Sequence, residues 1–272
     1  MKQKAKTPLQ GYLASIIAFV LATALGILLF SLVKQHAVEA LAQQKLSLNV
    51  SRQCEHFEDI LDVNYQFLDG MAAQIGKYGA LNTQKNRDMI SAIKSTTAID
   101  HVALIKPNSM AHFENGQIKD VSYRDYAQNT SAKNRHFLSN PVESILDQQT
   151  RVVLSVPVSH NDTTLGLLAA SYDVNVLNHL MFDDFFDGKG LCIIIDETGH
   201  IVTLGENSYL KKIKYEDNFF EFYSRWNFYG HDSLQKIHNA FQDHSAGVLK
   251  LIQPGDPDSS RYIACTPLRL KN

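Results

Sequence analysis

Proline is absent between Pro8 and Pro107, and glycine occurs there only at Gly11, Gly26, Gly70, Gly76 and Gly79. With both helix breakers so rare, nothing local stops the first hundred residues from being mostly helical. An excess of charge of one sign is also missing: 26 Lys and Arg against 28 Asp and Glu give a formal net charge of −2. Such a chain has no broad basic field with which to hold phosphates, and nucleic acid is excluded as a partner. Cysteine is scarce, with Cys54, Cys192 and Cys265 in neither zinc nor disulfide-framework spacing. An odd number cannot pair fully within one chain. Cys192 and Cys265 lie in apolar runs and read as small core residues, whereas Cys54 lies on a helix open to an intermolecular bridge.

Motifs of catalysis are missing too. There is no HExxH, no GxSxG elbow and no glycine-rich phosphate loop after a strand. The stretch FDDFFDGKG lacks the alternating ligands and distal glutamate of a calcium-binding hand. The expectation is therefore of no catalytic residue, no metal and no cofactor in the chain.

What is present begins with the uncharged run from Gly11 to Val33, GYLASIIAFVLATALGILLFSLV. At ~1.5 Å of rise per residue a helix of this length crosses a ~30 Å hydrocarbon core. A cleaved signal peptide has an apolar region of only ~7–15 residues, and the small-residue site Ala40-Leu41-Ala42 lies well past the run, so length favours an uncleaved anchor. Lys2, Lys4 and Lys6 precede the run, while Lys34 follows it alone until Lys45. By the positive-inside rule the N-terminus is cytoplasmic and residues 34–272 are periplasmic or extracellular.

Beyond the span, Val50, Cys54, Phe57, Leu61, Leu68, Met71 and Ile75 recur at alternating steps of three and four, with Asn64 and Tyr65 filling the gap. This stripe predicts a stalk helix ending near Gly76 to Gly79, packed on its own domain or on a sister helix in a homodimer. A second helix is expected after Asn82 or Thr83 as cap. From residue 100 the texture is strands and turns: HVALI, a turn at Pro107-Asn108, another strand, then a turn at Asn115-Gly116. The segment Ser122 to Pro141 reads as a short amphipathic helix or turn-rich connector, followed by two apolar strands around His160 to Thr164. Residues 190–270 repeat the order of strands, connector and strands, which predicts two tandem α+β units, each with a central antiparallel sheet, joined by a helix over 173–190.

The anchor, the long helix, YRDYAQNTSAKNRHFLSNP running into RVVLSVPV, the step LGLLAASYDVNVLNHL and the opening CIIIDETGHIV together resemble the double Cache, or tandem PAS-like, sensor region of bacterial membrane signal-transduction proteins. The resemblance covers nearly the whole chain and rests on the order of the pieces. It implies a cytoplasmic segment at 1–10, a span at 11–33, a stalk at 34–79, a membrane-distal unit at 80–180 and a membrane-proximal unit at 181–272. It also implies that the second unit stops short, at RYIACTPLRLKN. The output domain would then lie outside the chain, as a chemoreceptor, histidine kinase or cyclic-di-GMP enzyme. The ligand implied is a small molecule: an amino acid, amine or carboxylate. Arg124, Tyr126 and Asp173 match the positions that hold it, the guanidinium gripping a carboxylate and Asp173 receiving an ammonium. Lys119 and Ala127 depart from the family pattern, each standing where an aromatic is usual. The residues alone leave other roles open: an Arg124–Asp125 surface ion pair, Tyr126 as a core aromatic, Asp173 as an N-cap. Arg135, His136 and Ser139 are weaker candidates for the pocket wall, and a membrane-tethered protein-binding module is the competing function.

Overall fold

The computed structural model describes residues 8–174, 176, 190–196, 198–205, 218–228, 233–252 and 260–268. The joining helix expected over 173–190 and the turn expected over 254–260 lie outside the described residues for most of their length. Two compact units emerge, residues 1–49 and residues 50–272.

Helix α1, Pro8–Gly76, runs for 69 residues. Within residues 8–49 it is long and apolar enough to cross a membrane, and Ile16, Phe19, Leu25 and Phe30 are among its exposed side chains. That length and composition are what a membrane span requires.

In residues 50–272 the stripe on α1 is buried from Phe57 onward, through Leu61, Tyr65, Leu68, Ala72 and Ile75, while Val50, Cys54 and Met71 are half-buried. The Cys54 thiol donates to the Pro267 carbonyl at 3.3 Å. Burial and then Glu58 push that thiol up to about 12, and all three cysteines are free. Helix α2, Gln84–Thr96, starts on the Thr83 hydroxyl, which accepts the Asn86 N–H at 3.1 Å. Asn86, Ile90 and Ile93, spaced by four and three, are its buried face.

The first sheet has seven antiparallel strands in the order β3-β2-β1-β7-β6-β4, with β5 also on β6. They are β1 His101–Ile105, β2 Met110–Phe113, β3 Ile118–Asp120, β4 Phe137–Leu138, β5 Val142–Glu143, β6 Thr150–His160 and β7 Thr163–Asp173. β6 and β7 are joined through Asn161 and Asp162, at φ of 48° and 60°. Both residue types tolerate the left-handed region that a tight hairpin turn requires.

Side chains alternate along each strand, so every strand serves two faces. Val102, Leu104, Val152, Leu154, Leu168 and Ala170 turn to α1 and α2 and close the main core with Phe57, Leu61 and Leu68. The Tyr172 hydroxyl donates to Asn64 Oδ1 on α1 at 2.5 Å, which places the polar member of the stripe against a polar partner. Where α1 ends, a side chain on Gly76 would meet the Ser159 carbonyl oxygen at 2.2 Å, so helix and hairpin approach more closely than any Cβ permits.

The following residues form β8 Ile193–Ile195 with β9 Ile201–Leu204, α4 Phe219–Tyr223, β10 Asn227–Phe228, α5 Leu234–Gln242, β11 Gly247–Ile252 and β12 Ser260–Cys265. The expected order of elements is present. Among the described residues its strands make two ladders, β8-β9 and β10-β11-β12, in place of one sheet. They share a core of Ile201, Phe219, Tyr223, Ile237, Leu249 and Leu251, with Cys265 packed beside it.

Candidate ligand-binding site

The face of the first sheet turned away from α1 carries small side chains at its centre. Ala103 on β1 stands opposite Ala169 on β7, Ala169 opposite Ser155 on β6, and Ile105 opposite Ala111 on β2. A row of alanines and serine leaves room above the strands that leucines would fill. Helix α3, Asp125–Lys133, roofs part of that room, held by the Thr130 and Ser155 hydroxyls at 2.5 Å. It ends on Asn134 in the left-handed conformation. Its start is stabilised by the Asp125 carboxylate, which accepts the Tyr126 N–H at 2.6 Å. The space left between sheet, α3 and the Val142–Ile145 segment is about 470 Å³, counting its open mouth.

Two of the three residues drawn from the resemblance line this cavity. Arg124 precedes α3, and its Nη2 donates to the Glu143 carbonyl at 2.7 Å, with the guanidinium 4.8 Å from the Tyr123 ring. No ion pair forms between it and Asp125 among the described residues. Tyr126 is 7% exposed, and its hydroxyl has no hydrogen-bond partner among the described residues. Burial pushes the Tyr126 hydroxyl up to about 12, so it remains an O–H donor at neutral pH. Asp173 is different: it shares the sheet face, directly opposite Arg151, but lies one step beyond the lining. Its N–H donates to Asp100 Oδ2 at 2.6 Å.

At that end of the cavity stands a charged group that sequence reading missed. Arg151 is buried, and its two terminal nitrogens each donate at 2.8 Å to one oxygen of Asp147. His101 lies between carboxylates, 2.7 Å from Glu114 and 3.4 Å from Asp147. Glu114 also accepts the Val102 N–H at 3.1 Å. Arg151 and His101 line the cavity; Asp100, Glu114 and Asp147 stand behind them. The signal for Arg151, Ser155 and Ser171 was their parity: each is a polar residue on the alternate positions of an otherwise apolar strand.

Burial alone would raise the Asp147 carboxyl. The Gln149 N–H, Ser144, His101 and Arg151 outweigh it and hold the carboxyl below the usual carboxylate range. Asp196, on the β8–β9 turn, is similar: burial opposes, and bonds from Thr198, the His200 N–H and Asn140 win. A carboxylate whose pKa is depressed in the folded state stabilises that state above its unfolded value of ~3.9. That stability is lost as pH falls through the folded value. Asp125, raised chiefly by burial, runs the other way and offsets part of it. Unfolding midpoints should therefore be level from pH 7 to 5 with respect to Asp147 and Asp196, and should drop below about pH 4. A scan against pH with the Asp147→Asn, Asp196→Asn double variant checks this, because its acid limb should be flatter.

The weaker candidates divide. Arg135 is exposed, and His136 stacks on Tyr65 at 4.5 Å and meets Asp69 at 2.9 Å, so it belongs to the α1 side. Ser139 is buried and exchanges bonds with the Val153 backbone at 2.9 Å, which extends the β4 ladder. Between β4 and β5, Asn140 donates to Asp196 Oδ2 at 3.0 Å, tying the segment that walls the cavity to the β8–β9 turn.

The fold is that of the ligand-binding sensory domains of bacterial chemoreceptors, the α+β Cache type that the sequence resembles. No family model and no curated protein matches the chain. Among solved structures, the chain is similar to the ligand-binding domain of the Campylobacter jejuni chemoreceptor Tlp3 in complex with L-valine. The identity is 14%, 85% of this chain and 94% of that one are covered, and the TM-score is 0.59. The ligand-binding domain of the Pseudomonas aeruginosa chemoreceptor PctC in complex with GABA matches at 15% identity over 83% and 99%, with a TM-score of 0.58. That of Pseudomonas fluorescens CtaA in complex with L-isoleucine matches at 12% over 87% and 96%, with a TM-score of 0.60. At such identities the likeness is one of fold.

Proposed function

We propose that this chain is the membrane-anchored sensor region of a bacterial transmembrane signalling protein, and that the cavity above β1, β7 and β6 binds a small molecule. The observation that carries the reading is the Arg124 guanidinium and the unpartnered Tyr126 hydroxyl at a cavity floored by alanines. The solved chemoreceptor domains that share the fold hold L-valine, GABA and L-isoleucine, which supports a ligand of amino acid, amine or carboxylate type. In this reading residues 1–10 are cytoplasmic, 11–33 span the membrane, 34–79 form the stalk of a homodimer, and 80–180 and 181–272 are the distal and proximal units outside. The region itself senses without catalysing.

Thermal unfolding of the full chain in detergent, against a panel of amino acids, amines and carboxylates, tests this. A ligand at a hundred times its Kd should stabilise the chain by about 2.7 kcal/mol. Arg124→Gln should remove the shift and leave the ligand-free midpoint in place, since Arg124 is only half-buried. No shift from any panel member at millimolar concentration would overturn the sensor reading in favour of a protein-binding module.

A further inference from the structure

The charges around the cavity are arranged for one sign of ligand. Among the described residues that line it, the ionisable side chains are His101, Arg124, Tyr126, Glu143 and Arg151. Glu143 is the one carboxylate among them, and β5 turns it away. Val142 packs into the cluster that walls the cavity, so by alternation the exposed Glu143 side chain points outward. What Glu143 offers inward is its carbonyl, already taken by Arg124.

The carboxylates behind the lining are engaged as well. Both oxygens of Asp147 hold Arg151, and Glu114 holds His101 and the Val102 N–H. Asp100 Oδ2 accepts the Asp173 N–H, and Asp173 stands outside the lining with partners of its own.

Donors, by contrast, are left over. Arg151 Nε is buried with no hydrogen-bond partner, 3.6 Å from Asp100 and so beyond bonding reach. The Tyr126 hydroxyl and the remaining N–H groups of Arg124 have no acceptor among the described residues. The rest of the wall is mostly apolar, with Ile105, Phe113, Val142, Ile145 and Val153 around the alanine floor, and its polar members Ser144 and Ser171 are neutral.

Resting on the sensor reading above, we infer that the ligand is a small carboxylate with a short apolar tail and no ammonium group. Its carboxylate is held by Arg124 and Tyr126, and its tail lies over Ala103 and Ala169. An α-ammonium brought into the same space would be stripped of water and given no anionic partner, the most costly outcome for a buried cation. The ligand inferred thus differs in class from the L-valine, GABA and L-isoleucine held by the domains whose fold the chain shares.

Three probes with one branched tail separate the cases: 3-methylbutanoate carries only the carboxylate, isobutylamine only the ammonium, and L-valine both. In calorimetric titration of the full chain in detergent, 3-methylbutanoate should bind at least ten-fold more tightly than L-valine, and isobutylamine should not bind. Arg124→Gln should weaken 3-methylbutanoate at least ten-fold while keeping the ligand-free unfolding midpoint. L-valine binding as tightly as 3-methylbutanoate, or isobutylamine binding at all, would overturn the inference and leave the sensor reading intact. Unaltered binding of 3-methylbutanoate by the variant would also overturn it. If none of the three binds but a member of the wider panel does, that compound's head group decides, an ammonium counting against. Silence from every compound overturns both readings together.

Discussion

Asp147→Ala should destabilise the chain by about 4 kcal/mol, within the range of about 3–5 kcal/mol for removing one member of a buried ion pair. It should cost more than Arg151→Met, although Asp147 is the more exposed partner. The side chain of Arg151 is 7% exposed and that of Asp147 38%. Removing Asp147 takes both acceptors from a guanidinium that is otherwise largely buried, with Asp100 at 3.6 Å as its remaining anion. Removing Arg151 leaves a carboxylate that water can reach, so its cost falls nearer about 2–3 kcal/mol. Urea unfolding followed by circular dichroism distinguishes the two. The single tryptophan, Trp226, sits beside the other core and would report the wrong region. Equal costs, or a larger one for Arg151→Met, would contradict the account of the pair.

Leu68→Ala should lose about 3–4 kcal/mol, in the range for a fully buried leucine whose cavity cannot collapse. Leu68 is 0% exposed, between α1 and the sheet face of Leu104, Leu154 and Leu168. Its neighbours are held from both sides, by a long helix and by strands paired in register, so relaxation into the void is limited. Phe67, one position along α1 and on its open side, serves as the control. Phe67→Ala should change stability by less than about 1 kcal/mol, measured in the same urea titration.

Elements governed by local chemistry were readable from the amino-acid order. The three-and-four spacing of Phe57, Leu61, Leu68 and Ile75 placed the face of α1, and Thr83 stood where the cap of α2 forms. The polar turn between β6 and β7 fell at Asn161 and Asp162 because the hairpin requires residues that accept positive φ. Arg124 and Tyr126 came from family resemblance, and the structure puts both on the cavity.

What could not be read depends on pairing across distance. Arg151 looked like one more polar residue at the start of a strand. Its ion-pair partners Asp147 and Asp100 arrive from the loop before β6 and from the residue before β1, and Asp173 stands opposite it on a strand whose register only the folded sheet defines. Asp173 shows the converse limit: the alternation of β7 gives its face correctly, but depth along the strand decides whether a residue reaches the cavity, and Asp173 is at the rim. The division of the last five strands into two ladders is likewise a matter of register, which the run of apolar residues in each leaves open.

The sheet that floors the cavity is a partition one residue thick. Ala103 looks to the cavity and its chain neighbours Val102 and Leu104 look to α1; Ala169 and Ala170 are divided in the same way. No second layer of side chains stands between the two compartments to take up a displacement, and close-packed interiors do not compress to absorb one. Whatever bows a strand from above is therefore felt on the helix below within the width of a single backbone, as a tap on a drumhead is felt on both sides of the skin.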